Sequence, residues 1–164
     1  MSWDVEVVET VRYLIGDVDS PQKYSDTRLK TAATISSNFV SREISLLNTY
    51  VINISLQTIV PDPSLTDPID YGFLDLISLR TAILIMQGEV KIYATSSIRV
   101  MDGPSSIDIA GIFLNTKKII DDLNLTYSMA KNRYIMNSSG YGKSVLSTTI
   151  DTSIGQGGYY DRRS

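Results

Sequence analysis

The chain has 164 residues, of which 43% are hydrophobic and 20% charged, which describes one ordinary globular domain long enough to bury a core. It contains no cysteine and no histidine, so disulfides, thiolate chemistry, the usual zinc sites and the commonest near-neutral general base are excluded. The net charge is −3 and no lysine or arginine cluster exceeds two neighbours, which excludes an avid phosphate-binding surface but not a passage that surrounds DNA without gripping it.

Residues 3–15 are predicted as a helix. Trp3, Val7, Val8, Val11, Leu14 and Ile15 form one apolar stripe, Ser2 stands in the N-cap position and Gly16 is the stop. The acidic start, Met1-Ser-Trp-Asp-Val-Glu6, lacks the basic and apolar regions of a secretory signal. A turn containing Pro21 follows. Ser25 then caps a second helix to about Leu47, with Leu29, Ala32, Ala33, Ser36, Phe39, Val40 and Ile44 inward. Its small residues allow a neighbouring helix to come close.

Residues 50–60 change to period two, with Ile52, Ile54 and Leu56 facing one way and Asn53, Ser55 and Gln57 the other, which predicts one half-buried strand. Prolines 61, 63 and 68 hold the chain irregular up to Asp70, and the acids Asp62, Asp67 and Asp70 are expected to cap the next helix and solvate the loop. That third helix, about 70–94, is apolar nearly all round from Phe73 to Met86 and is expected at the centre. Asp75 and Arg80 interrupt it, so it cannot span a bilayer. Arg80 is expected to pair with Asp75 or Glu89.

A short strand at 98–101 ends in Asp102-Gly103 and is expected to pair with 50–60 as a hairpin-like flap. Ser105 or Ser106 opens a fourth helix, about 107–136, whose stripe is Ile109, Ile112, Phe113, Ile119, Ile120, Leu123, Tyr127, Ala130 and Tyr134. It would be roughly 40 Å long. Lys117 and Lys118 stand four residues before Asp121 and Asp122 and read as surface ion pairs.

The last 28 residues, Asn137–Ser164, hold half of the ten glycines, six serines and three tyrosines, with too few large aliphatics to offset their own ordering entropy. This composition points to an arm that orders on a partner. Gly140-Tyr-Gly142-Lys143-Ser144 echoes a phosphate-binding loop, but Asn137 stands where that pattern needs glycine. A helix precedes it where a buried strand is required, so the motif carries no nucleotide site. No catalytic, cofactor-binding or metal-binding residue is assigned.

Three stretches together resemble the head–tail connector, or adaptor, proteins of tailed bacteriophages. They are Val11-Arg-Tyr-Leu-Ile-Gly-Asp17 followed by Tyr24-Ser-Asp-Thr-Arg-Leu29; Val60-Pro-Asp-Pro63 leading into Phe73-Leu-Asp-Leu-Ile-Ser-Leu79; and Ile98-Arg-Val-Met-Asp-Gly-Pro-Ser-Ser-Ile-Asp108. The resemblance implies a non-enzymatic virion protein at the head–tail junction, made in the host cytoplasm and assembled as a homo-oligomeric ring, commonly of twelve. Such a ring docks on the portal protein, contacts a downstream neck or tail protein, and lets double-stranded DNA through without specific binding. It implies neither cofactor nor membrane. Carried onto this chain, the portal-binding arm is 137–164, with Tyr141, Lys143, Val145, Leu146, Ile150, Ile154, Tyr159 and Tyr160 as contacts. The expected fold is mainly α: a four-helix bundle over 1–136 with a small β flap (about 50–60 and 97–102) and an extended C-terminal arm. A stopper or tail-completion protein of the same neck, and a non-viral helical interaction module, are the alternatives.

Overall fold

A computed structural model describes residues 2–97 and 109–138 of the chain. The fold is a mainly helical bundle with one small antiparallel sheet, in the order α1 (Trp3–Ile15), α2 (Asp26–Glu43), β1 (Val51–Asn53), β2 (Thr58–Val60), α3 (Tyr71–Ser97) and α4 (Ile109–Ser138). The expected strand at 98–101 and the start signals Ser105 and Ser106 lie outside the described residues.

Helix α1 buries Trp3, Val7, Val8 and Val11, as the stripe requires. Gly16 ends it in the left-handed region (φ 71°), and the Asp17 N–H turns back to the Arg12 carbonyl at 2.9 Å. Its N-terminus is closed differently from expectation. The Ser2 side chain makes no cap and instead donates to Asp62 at 3.3 Å, while the Trp3 N–H reaches the same carboxylate at 3.4 Å. A carboxylate from the proline-rich loop thus neutralises the positive end of α1.

In α2 the Ser25 hydroxyl accepts the Arg28 N–H, and Ala32, Ala33, Thr34, Ser36 and Ser37 are all buried where α1 and α3 approach. The helix stops at Glu43, four residues before the expected end, because Ile44 turns extended while its side chain stays in the core. Phe39, expected inward, is 42% exposed and lies against the Arg80 guanidinium.

The single strand expected at 50–60 is a hairpin in its own right, with Val51 opposite Val60, Ile52 opposite Ile59 and Asn53 opposite Thr58. The turn uses neither glycine nor proline. The Asn53 side chain accepts the Leu56 N–H at 3.0 Å, and Gln57 takes the left-handed conformation (φ 53°) while its amide donates to Thr31 of α2 at 2.7 Å. Ile59 is buried on the body, whereas Ile54 and Leu56, expected on one face with Ile52, are exposed at the turn.

Helix α3 is the central element on which α1, α2 and α4 all pack. Phe73, Leu76, Ile77 and Ile83 are fully buried, and the buried hydroxyls of Ser78 and Thr81 return to carbonyls of their own helix. Helix α4, about 45 Å long, lays Ile120, Leu123, Tyr127 and Tyr134 on it. Ile119, expected in that stripe, is exposed. At Gly72 an added Cβ would lie 2.6 Å from the Tyr134 ring, so the two helices meet there at the distance only glycine allows.

A candidate docking end

The last described turn of α4, the start of α3 and the base of the flap converge on one carboxylate. Asp70 is buried; its Oδ1 accepts the Phe73 N–H at 3.1 Å and caps α3, as its position before the apolar run predicts. Its Oδ2 accepts the hydroxyls of Tyr50 (2.9 Å) and Tyr134 (3.2 Å). The Tyr134 oxygen in turn accepts the Leu47 N–H at 2.9 Å, and the Tyr50 ring stacks on Phe73 with centroids 4.6 Å apart. Burial, reinforced by the Asp70 carboxylate, pushes the Tyr50 phenol up to about 12 and raises that of Tyr134. Both therefore stay protonated donors at neutral pH.

The surface beside this network is largely apolar. Leu47, Pro68, Ile69, Tyr71, Tyr134 and Asn137 line an open cleft of about 300 Å³ at the foot of α4. The flap continues it: from Ile44 to Pro61, eighteen residues, there is no charged side chain. The cross-strand pair Val51 and Val60 stands 68% and 59% exposed, with Leu56 at 70%. Edge strands are ordinarily guarded by charge or proline, and within this hairpin no such guard is present. An uncharged, exposed aliphatic surface of this kind is a place for another polypeptide.

Several charged side chains of the body are paired with one another. Buried Arg12 donates to Asp17 (2.8 Å), Asp26 and the Tyr24 carbonyl. Glu89 takes Lys23 and the Tyr24 hydroxyl. Arg80 pairs with Glu43 at 3.2 Å, not with Asp75 or Glu89, and Tyr127 and Lys131 bond the same carboxylate. Burial opposes the Glu43 charge, but Tyr127, Lys131 and Arg80 outweigh it and hold the carboxyl below its ordinary range. Among the described residues, Lys117 and Lys118 form no salt bridge with Asp121 or Asp122, and no group of three or more acids could hold a metal ion. No described helix is long and apolar enough to cross a membrane.

The sequence-predicted contacts Tyr141, Lys143, Val145, Leu146, Ile150, Ile154, Tyr159 and Tyr160 lie outside the described residues. What is described is their root: α4 ends at Ser138, one helical turn after Tyr134 and beside the cleft. Sequence reasoning missed the joining of Tyr50, Asp70 and Tyr134, which no local pattern announces. It also passed over the charge-free run 44–61, which a count of charges along the chain reveals. The chain matches no protein-family model, no curated protein and no solved structure.

Proposed function

We propose that this chain is a non-enzymatic assembly protein, an adaptor that forms a homo-oligomeric ring between the portal and the tail of a tailed bacteriophage and continues the DNA channel. One observation carries the reading: the last described turn of α4, from which the arm 137–164 continues in sequence, lies beside the open cleft and the base of the uncharged flap. Docking surface and arm root thus lie together, as conditional assembly on a partner requires. Tyr159 and Tyr160 suit the anchoring role because tyrosine offers large contact area with few rotors to freeze. The acidic balance, without a basic run, suits a conduit that does not retain its cargo.

Deleting residues 140–164 tests the arm. The truncated chain is expected to keep its helical circular dichroism and to lose co-purification with the portal protein. Undiminished co-purification would overturn the assignment.

A further inference from the structure

The cleft at the foot of α4 has apolar walls of Leu47, Pro68, Ile69 and Tyr71, and Asp70 is the one charged residue in its lining. Leu47, Ile69 and Tyr71 are all exposed. Two stretches of the sequence lie outside the described residues, 98–108 and 139–164. The first leaves from the far end of the bundle. Helices α3 and α4 run antiparallel, with Gly72 against Tyr134 and Arg80 against Tyr127, so Ser97 and Ile109 stand roughly 40 Å from the cleft. The eleven residues 98–108 must go out and return, and so reach only about 20 Å. The second stretch begins at the cleft itself, because Asn137 lines it and Ser138 is the next residue.

We infer that Tyr141 docks in the cleft of its own chain, folding the root of the arm back onto the end of the bundle. Reach allows it. From Ser138 three residues span up to about 10 Å, and Tyr134 lies only about 6 Å back along the helix. Turning back needs a helix stop, and Gly140 and Gly142 flank the tyrosine; glycine most readily takes the left-handed turn that ends a helix. The phenol ring suits the Pro68 and Ile69 wall, and the amides of Asn48 and Asn137 in the lining offer its hydroxyl partners. Charge agrees as well. The lining holds a carboxylate and no cation, exposed Asp67 precedes Pro68, and the first charged residue after Ser138 is Lys143. So short a tether holds Tyr141 at roughly millimolar effective concentration, which favours its own cleft over a neighbour's. Docking uses 139–143 and leaves 144–164, with Tyr159 and Tyr160, to start beside the flap and meet a partner.

The docking stands apart from the ring reading and is tested on the isolated full chain, without portal protein. Because the chain has no cysteine, Leu47→Cys places a single thiol in the cleft wall. Its rate of reaction with a bulky maleimide is measured in the full chain, in chains ending at Lys143 or at Ser138, and in chains carrying Tyr141→Ser or Tyr141→Phe. The full chain, the chain ending at Lys143 and Tyr141→Phe are expected to react about tenfold more slowly than the chain ending at Ser138 and Tyr141→Ser, the protection that about 1.4 kcal/mol of docking gives. Equal rates throughout would overturn the docking. Slow reaction in Tyr141→Ser, with fast reaction in the chain ending at Lys143, would put a later residue in the cleft and overturn Tyr141 as its occupant. Protection that grows with protein concentration would place a neighbour's arm there and overturn the contact within one chain. As an independent check, amide exchange across residues 66–72 should quicken in Tyr141→Ser, and unchanged exchange would count against the docking. Each of these outcomes leaves the portal reading, tested by co-purification, where it stands.

Discussion

Asp70 holds three donors from three parts of the chain: the Phe73 N–H that opens α3, Tyr50 at the entry to the flap, and Tyr134 near the end of α4. Truncation therefore does more than remove a helix cap. Asp70→Ala leaves two largely buried hydroxyls without their acceptor, and an unsatisfied buried polar group costs more than a lost bond contributes. We expect a loss of about 3 kcal/mol, roughly 1 from the cap and the rest from the stranded tyrosines, read as a shift in the urea midpoint at constant m. Asp70→Asn keeps an acceptor oxygen and should lose clearly less. Equal losses for the two variants would mean that the negative charge, and not the bonding, matters here.

Gly72 shows how the helices are held at the same end. An alanine Cβ there would meet a Tyr134 ring carbon at 2.6 Å, and the ring cannot swing freely because its hydroxyl is fixed by Asp70 and Leu47. Helix propensity favours alanine by about 1 kcal/mol, yet overpacking against a pinned ring costs about 1–3 kcal/mol. Gly72→Ala should therefore be destabilising overall, with faster amide exchange confined to the last turns of α4; a stabilised protein would show that the ring moves aside. The limits of α1 were legible because its stop is local: a glycine after a complete apolar stripe has one physical reading. The caps Ser25 and Asp70 were legible for the same reason. The flap was only half legible. Its alternation was plain, but its turn is made by an asparagine side chain and a left-handed glutamine, residues that carry no obligatory turn signal. The Arg80 partner, Glu43, and the Tyr50–Asp70–Tyr134 junction depend on how whole helices pack, which spacing along the chain does not encode. The arm expected from composition lies outside the described residues beyond Ser138, whereas the charge-free run 44–61 can be counted in the sequence but its exposure cannot.

A protein whose exposed run Ile44–Pro61 carries no charge should, if it assembles through that run, show an unusual response to salt. The internal pairs Arg12–Asp17, Lys23–Glu89 and Arg80–Glu43 are partly or wholly shielded from solvent, so added salt weakens them little. A subunit contact made through the uncharged run Ile44–Pro61 would contain no ion pair to screen. Each copy carries a net −3, so gathering copies into the proposed ring would concentrate like charge that salt does screen. Raising sodium chloride from about 50 to about 500 mM shortens the screening length from roughly 14 Å to roughly 4 Å, which relieves that repulsion and leaves the apolar contact intact. The fraction of chains in rings, counted by mass photometry at fixed protein concentration, should therefore hold or rise across that range. A fall would mean that charged helix faces, and not the flap, carry the subunit contact, because only attraction between opposite charges is lost as screening increases.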